Sequence, residues 1–210
     1  MSYDQIQVNT QSSIRIEGSK ILYFDPFQIH SDSHDADVIF ITHAHQDHFD
    51  PESINHIRKQ DTIFIVPTSM EKKMDKITDK GKLHFLKPGE NIVIEMLNIT
   101  SLPAYNKRKP FHPKRNAWLG YVVAMDGIRY YVSGDTDAVK EIQTVNCDVA
   151  FVPIGGTFTM TAKEAAGLIN QIKPSVAIPT HYGSIVGKAE DAEEFRKLID
   201  PNILVEVKLL

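Results

Sequence analysis

Three histidines and one aspartate lie within six consecutive positions in the first quarter of the chain. They are His43, His45, Asp47 and His48. Neutral imidazoles and carboxylates are the ligands that zinc and similar divalent metals take in proteins. Because metal ligands come in clusters of this kind, we interpret the segment as a metal site. The alternative is a chance group of solvated surface histidines.

The spacing within this cluster indicates how metals would share it. His43 and His45 are two residues apart, so in an extended loop they lean to the same side and can bind one ion. Asp47 and His48 follow where the loop turns and can face a second ion. Paired metals in enzymes activate water and hold a substrate oxygen, so the chemistry indicated is hydrolysis.

Strands must position these ligands. Residues 38–41 are Val-Ile-Phe-Ile, and a run of branched and aromatic side chains is typical of a buried strand. The loop at the end of such a strand is where an α/β sheet holds its ligands. Two later apolar runs are followed in the same way, one by Asp135 and the other by His181. Taken singly, these would be a β-turn aspartate and a structural histidine.

The pattern His-x-His-x-Asp-His at 43–48, after a hydrophobic strand, resembles the signature of the metallo-β-lactamase superfamily. The segment Ser-Gly-Asp-Thr-Asp at 133–137 resembles the Gly-Asp-Thr segment of that family, and the histidine at 181 resembles its last ligand. The resemblance extends from Asp25 to Tyr182. It implies a four-layer αββα sandwich of the α/β class, one domain over residues 1–210, and a metal-dependent hydrolase activity.

The resemblance also implies roles for these residues. The implied metal ligands are His43, His45, Asp47, His48, Asp135 and His181. The first two would share one ion with Asp135, whose two oxygens can bridge both ions, and the others would bind the second ion. Asp47 would also orient the attacking water and accept its proton. Asp25, behind the metal loop, would hydrogen bond to a ligand histidine and fix its tautomer. An ordinary Asp-Pro turn is an equally good interpretation of Asp25.

One expected ligand is missing from the matching position. Many family members carry a further histidine between the first motif and the Gly-Asp segment, where this chain has Tyr105 and Asn106. Each of these two residues is a candidate metal ligand or acid. His112 is the nearest histidine downstream. It could bind the first metal, donate a proton, or be a loop histidine without a role in the site. If it does not bind, the first metal keeps two histidines and Asp135, and the protein could hold a single ion.

The substrate and the metal are less well specified. Segments such as Pro-Ala-Tyr-Asn and Gly-Gly-Thr-x-Thr-Met are similar to a branch of uncharacterised hydrolases near the L-ascorbate-6-phosphate lactonase group. We expect hydrolysis of an ester, lactone or phosphodiester bond in a small anionic molecule, with one or two ions of zinc or manganese. Iron and nickel are alternatives. The competing hypothesis is a non-hydrolytic metal-containing sensor or binding protein with a degenerate first-metal site.

Two segments could contact an anionic substrate. Five basic residues lie between positions 107 and 115: Lys107, Arg108, Lys109, Lys114 and Arg115. They could form an anion-binding rim or be a solvated loop. Gly155 and Gly156 precede a predicted helix, where exposed backbone N–H groups can bind an anion. An ordinary turn fits these two glycines equally well.

Composition limits the class of protein. The chain has 210 residues, a formal net charge of −4 and a single cysteine, Cys147. The charge does not suggest polyanion binding, and the cysteine count excludes an internal disulfide framework and fits a reducing compartment. The N-terminus lacks a signal-peptide pattern, and no apolar stretch approaches 18 residues. We predict a cytoplasmic protein that acts on a small molecule, without nucleic acid or membrane partners; a homo-oligomer is left open.

Turn and cap residues predict where several elements begin. Glu-Gly-Ser-Lys at 17–20 and Asp126-Gly127 indicate hairpins. Asp50-Pro51 indicates a helix start, and capping boxes at Thr68 and Thr161 indicate two more. Residues 189–199 are predicted to form a helix with a buried apolar stripe. Strands first, then alternating strands and helices, suit two facing sheets covered by helices.

Overall fold

The computed structural model describes residues 3–75, 77 and 82–209. Within them lie thirteen strands and four α-helices. The strands are β1 (Ile6–Val8), β2 (Ile14–Glu17), β3 (Ile21–Phe24), β4 (Ala36–Phe40), β5 (Arg58–Pro67), β6 (Leu83–Leu86), β7 (Asn91–Ile94), β8 (Leu97–Pro103), β9 (Leu119–Met125), β10 (Ile128–Val132), β11 (Val149–Pro153), β12 (Val176–Thr180) and β13 (Leu204–Val205). The helices are α1 (Pro51–Ile57), α2 (Glu71–Met74), α3 (Ala162–Ile172) and α4 (Asp191–Leu198).

The strands form two sheets. The first has the order β1-β2-β3-β4-β5-β6, and the second has the order β13-β12-β11-β10-β9-β8-β7. Strands β3 to β6 are mutually parallel, as are β10 to β13, whereas the remaining neighbours pair antiparallel. The carboxyl ends of parallel neighbours meet at the same edge of a sheet, so loops leaving β3 and β4, or β10 and β12, lie close together.

Successive side chains of a strand point to opposite faces of its sheet, and this alternation places the apolar residues in three layers. Phe24 and Phe40 point between the sheets, where their rings stack at 4.5 Å and Tyr121 packs from the second sheet at 5.3 Å. Ile39 points the other way, into a layer beneath α1 and α2. Outward residues of the second sheet, such as Ala150, pack beneath α3 and α4. Both sheets are therefore buried on both faces, and the predicted αββα sandwich is confirmed.

Local sequence signals explain several boundaries. Asp126 and Gly127 both have positive φ, at 53° and 79°, as the two-residue hairpin between β9 and β10 requires. Asp50 caps α1 by accepting a hydrogen bond from the Glu52 N–H, and Pro51 occupies the first turn. Thr161 and Glu164 form the predicted capping box of α3.

Two local predictions were wrong. Thr68–Met70 is a 3-10 helix without a side-chain cap, because its N-cap position is occupied by Pro67, which has no hydroxyl to accept the bond. The last helix begins at Asp191 rather than at residue 189, and Leu198 is 41% exposed, so it is not part of the buried stripe. No helix in the described part of the chain is both long enough and apolar enough to span a lipid bilayer.

Candidate metal centre

Loops at one end of the two sheets bring the predicted ligands together. Asp25 follows β3, the 43–48 cluster follows β4, Asp135 lies three residues after β10, and His181 directly follows β12. His112 arrives from the loop between β8 and β9. Residues far apart in sequence therefore share one pocket because parallel strands end at the same edge.

Three histidines form the first group. The ligand nitrogens of His43, His45 and His112 lie within 4.8 Å of one another, and Nε2 of His43 is 3.0 Å from Nδ1 of His45. His43 and His112 are each 1% exposed, and His45 is the most exposed of the three. The indole of Trp118 packs against all three rings, with centroid distances of 4.8 to 5.5 Å. A third imidazole is therefore present, supplied by the loop that replaces the missing family histidine.

Asp47, His48 and His181 form the second group. Oδ2 of Asp47 is 3.2 Å from Nε2 of His181 and 3.6 Å from Nε2 of His48. The two imidazole rings stack with centroids 5.3 Å apart. The family resemblance predicts that these three residues bind one metal, and the structure brings their ligand atoms within 4.8 Å of one another.

Asp135 lies between the two groups. Its Oδ2 is 3.2 Å from Nε2 of His112 in the first group and 3.2 Å from Nε2 of His181 in the second. Its Oδ1 is 3.4 Å from Nε2 of His48. Asp135 is 3% exposed. A single carboxylate thus contacts ligand atoms of both groups, which is the arrangement that a bridging ligand needs.

The buried polar atoms fit a cation. His48 Nε2, His112 Nε2 and Asp135 Oδ1 are buried without a hydrogen-bond partner in good geometry, although they lie only 3.2 to 3.6 Å from other ligand atoms. Ligand atoms around a tetrahedral zinc are separated by roughly 3.3 Å, because the metal–ligand bonds are about 2.0–2.1 Å long. Unpaired buried polar atoms are costly, and divalent cations would satisfy all of these together.

Asp25 orients His48 from behind. Its Oδ1 accepts a hydrogen bond from the Thr42 N–H at 2.7 Å, and its Oδ2 accepts one from the Thr42 hydroxyl at 2.6 Å. Oδ2 also lies 2.7 Å from Nδ1 of His48. Because a carboxylate can only accept, Nδ1 of His48 carries a hydrogen, and Nε2, which faces Asp135, is the nitrogen left to bind a metal. Asp25 adopts a φ of 45° to reach this position.

Opposite charges dominate the electrostatics of the centre. Burial alone would lower the pKa of His48, but Asp135 and Asp25 raise it well above the ordinary value. Burial would raise the pKa of Asp135, but His181 and His48 hold it well below its usual range. Burial, reinforced by His48, lowers the pKa of His43, which keeps that ring neutral and able to donate its lone pair. The buried carboxylates that attract a proton to His48 would equally attract a metal cation.

A cavity of about 520 Å³ opens directly above the ligands. The ligand residues on its floor and walls are His45, Asp47, His112, Asp135 and His181. The remaining lining residues are mostly apolar: Phe27, Ala44, Gln46, Phe111, Phe158 and Ile185. None of the described residues that line the cavity is Lys or Arg.

Other predicted site residues lie elsewhere. The Tyr105 hydroxyl donates to Glu141, and Tyr105 lines a different depression instead of the cavity above the ligands. Asn106 is beside His112 but uses its side chain there instead of facing the other ligands. Lys109 pairs with Asp137 and Lys114 with Glu141. The structure gives no support to the predicted anion-binding rim, because two of its five cations pair with carboxylates and none of the five is among the residues that line the cavity.

Gly155 has a role that the sequence reasoning missed. A Cβ atom at this position would lie 2.3 Å from the carbonyl oxygen of His181 and 2.8 Å from Val186. Glycine is required because the two backbones approach closely, and this contact positions the strand end that carries His181. The paired glycines at 155–156 are the available signal in the sequence, and they fit an ordinary turn or an anion site as well as a close backbone contact.

A four-layer αββα sandwich with paired His and Asp ligand groups at the ends of its parallel strands is the architecture of metallo-β-lactamase proteins. The family model described as "Beta-lactamase superfamily domain" matches residues 5–181. This chain belongs to the metallo-β-lactamase superfamily. The resemblance inferred from the 43–48 motif is confirmed, whereas the likeness to L-ascorbate-6-phosphate lactonases stays a prediction.

Relatives cover most of the chain. The chain is 33% identical over 200 residues to a UPF0173 metal-dependent hydrolase of Pyrococcus furiosus, covering 88% of this chain and 87% of the relative. It is 30% identical over 204 residues to a UPF0173 metal-dependent hydrolase of Thermococcus onnurineus, and the match covers 90% of this chain and 88% of that relative. A crystal structure of a proposed metal-dependent hydrolase from Parabacteroides distasonis superposes with a TM-score of 0.81 and 29% identity, covering 98% of this chain and 93% of that one.

Proposed function

We propose that this protein is a metal-dependent hydrolase whose two ligand groups each bind one divalent ion and share Asp135. The relatives named metal-dependent hydrolases support the general activity. The observation that carries the paired-ion proposal is the position of Asp135, with Oδ2 at 3.2 Å from both His112 and His181. The imidazole-rich first group suits zinc, and the mixed second group suits zinc or manganese.

The third imidazole of the first group supports an enzyme over a non-catalytic metal-binding protein. The sensor hypothesis depended on a degenerate first-metal site. His112 places its ligand nitrogen beside those of His43 and His45, so three imidazoles are available there. Asp47 faces the cavity as well as the second group, a position useful for catalysis and unnecessary for binding alone.

Asp47 and the bound metals would have different roles in the reaction. Divalent metals, when bound, lower the pKa of a coordinated water and polarise a carbonyl oxygen. Asp47 lies in the cavity wall with 19% of its side chain exposed, so it can reach a water there. Burial would raise the pKa of Asp47, but the hydrogen bond with His181 lowers it, which keeps the carboxylate ionised. Asp47 accepts the proton as the water oxygen bonds to the carbonyl carbon, and it passes that proton to the alcohol oxygen as the ester C–O bond breaks.

The cavity lining favours an uncharged substrate with an apolar group. Phe111 and Phe158 pack edge to face at 4.7 Å, and Phe111 and Ile185 remain 42% and 55% exposed at the cavity mouth. An apolar group beside the scissile bond would cover these side chains and be stabilised by their burial. Because the described lining contains no Lys or Arg, we propose a carboxylic ester or lactone instead of the anionic substrate expected from sequence.

Metal titration and a substrate panel test this function. Metal-free protein would be titrated with Zn²⁺ or Mn²⁺ and assayed against an aryl ester, an apolar γ-lactone and a bis-aryl phosphodiester. We expect two ions per chain and turnover of the ester or lactone. Asp47→Asn should lose most of the activity, on the order of 10²-fold or more, whereas His30→Ala, an exposed histidine outside the centre, should not. Full activity of Asp47→Asn would refute the role of the base, and phosphodiester turnover alone would refute the substrate class.

A further inference from the structure

We infer that Asn106 is a positioning residue that fixes the tautomer and direction of His112, and that Asp137 and Lys109 hold Asn106 in the required orientation. Asn106 is 7% exposed and Asp137 is 8% exposed. Neither is among the cavity-lining residues, so they act through His112. This inference rests on the proposed metal-binding function, since it explains how the unusual third imidazole of the first group is aimed.

Asn106 uses all of its hydrogen-bonding capacity. Its Oδ1 accepts a hydrogen bond from the backbone N–H of His112 at 3.1 Å and lies 3.0 Å from Nδ1 of the same residue. Its Nδ2 donates to Oδ1 of Asp137 at 3.1 Å and to the carbonyl oxygen of Phe158 at 2.9 Å. An amide oxygen has two lone pairs and an amide NH₂ has two hydrogens, so nothing is left unused.

These partners admit only one orientation of the amide. The Asp137 carboxylate and the Phe158 carbonyl can only accept, so they must face the NH₂ group of Asn106. Its Oδ1 therefore faces His112, and Nδ1 of that ring must carry the hydrogen that completes the contact. Nε2 then keeps its lone pair and points at the centre, 3.2 Å from Oδ2 of Asp135. The tautomer that can bind a metal follows from the amide orientation.

A charged anchor holds the far side of Asn106. Asp137 accepts hydrogen bonds from Nζ of Lys109 at 2.7 Å and from the backbone N–H of Lys107 at 2.8 Å. Lys109 also donates to the carbonyl oxygen of Thr159. Charge-assisted bonds of this kind are stronger than neutral ones and hold the carboxylate in place. The loop is closed by a bond from the Asn106 N–H to the His112 carbonyl oxygen at 2.8 Å.

Metal stoichiometry and affinity test the inference without depending on activity. Asn106→Leu keeps a similar volume but removes the amide, and it should weaken binding of one of two Co²⁺ or Zn²⁺ ions by about 10- to 100-fold, the usual effect of losing such a partner. His112→Ala should weaken the same ion. The double variant should lose no more than His112→Ala alone, because both changes act on one ligand.

A second, nearly isosteric variant keeps the test decisive if Asn106→Leu folds poorly. Asp137→Asn exchanges one of the two oxygens that accept from Asn106, Lys109 and the Lys107 N–H for an NH₂ group, so at least one of these donors loses its acceptor. This variant should weaken the same ion. Melting of the metal-free variants, followed by circular dichroism, separates folding from binding. Two unweakened ions in folded Asn106→Leu, or in folded Asp137→Asn, would overturn the inference. Fewer than two ions in the unmodified protein would instead refute the paired-ion proposal.

Discussion

Asp25 and His48 share a hydrogen bond of 2.7 Å between Oδ2 and Nδ1, with both side chains fully buried behind the ligand atoms. The same carboxylate accepts two hydrogen bonds from Thr42. The backbone of the metal loop and the ring of one ligand are thus held by a single carboxyl group. The effect of the Asp25 carboxyl group on metal binding can be separated from its effect on the size of the side chain.

Asp25→Asn tests that relationship with an almost isosteric change. The amide keeps a single oxygen, so its NH₂ must face either Nδ1 of His48 or the Thr42 N–H. The first orientation moves the ring hydrogen to Nε2, which then cannot bind a metal, and the second displaces the backbone of the metal loop. We expect the affinity for one ion to fall about 10- to 100-fold in chelator competition. Asp32→Asn, which alters an exposed aspartate–histidine contact with His56, is the control. Equal metal affinity in both variants would count against a positioning role for Asp25.

Gly155→Ala should destabilise the fold. The new methyl group would lie 2.3 Å from the His181 carbonyl oxygen, a backbone atom that cannot move cheaply. We expect a loss of about 1–3 kcal/mol in the free energy of unfolding, measured by urea denaturation of the metal-free protein. Gly167→Ala is the matched control, because its Cβ meets nothing within 4 Å in the exposed middle of α3. That change should stabilise by up to about 1 kcal/mol, and a loss of stability there would contradict the argument.

Asp35 should make stability depend on pH. Burial alone would raise its pKa, but hydrogen bonds from Arg15, Ser33 and Tyr23 lower it. A carboxyl group with a lowered folded pKa contributes stability above its unfolded pKa, about 3.9, and loses that contribution as pH falls through the folded pKa. The stabilising effect of Asp35 is therefore complete near neutral pH.

Asp35→Asn measures that contribution. The variant should be less stable than the unmodified protein at pH 7, and the difference should shrink as the pH falls below about 4. Denaturant unfolding at several pH values gives both curves. Asp61→Asn, at an exposed position of β5, should show a much smaller difference at every pH. A stability gap for Asp35→Asn that is independent of pH would indicate lost packing instead of lost charge.

Cys147 should react slowly with thiol reagents. It is 5% exposed, and burial together with Asp148 raises the pKa of its thiol to about 12. Because the thiolate is the reactive form, native protein at pH 8 should show almost no reaction with an aromatic disulfide reagent. Unfolding in guanidinium should release one thiol per chain, since this is the single cysteine. Rapid titration of the native protein would mean that the loop before β11 opens readily.

Phe111→Ala should distinguish substrates by their apolar group. Removing the ring at the cavity mouth should raise KM for an aryl or long-chain ester by about tenfold, because a modest apolar contact is lost. The KM for an acetate ester of a small alcohol should change little, and the metal content should stay at the level of the unmodified protein. Val93→Ala removes another exposed apolar side chain, on β7, and should have no effect. Equal losses for both esters would point to a structural effect.

The amino-acid sequence alone determined features whose cause is local. The 43–48 cluster was recognisable because its ligands share one loop after an apolar strand, and the Asp126-Gly127 hairpin because both residues tolerate positive φ. The order of strands and helices suited two facing sheets covered by helices, and the family resemblance implied the αββα sandwich. The family resemblance was carried by the same short motifs, and it covers the ligands that lie at strand ends.

Only the tertiary structure decided which distant groups meet. His112 joins His43 and His45 because Asn106 and Asp137 close its loop, and nothing in the spacing from 106 to 112 predicts that closure. Two of the basic residues near it, Lys109 and Lys114, proved to be partners of Asp137 and Glu141, since a charge in a sequence does not reveal its counter-ion. Contacts between segments far apart in the chain depend on how loops pack, and that packing is set by the whole fold.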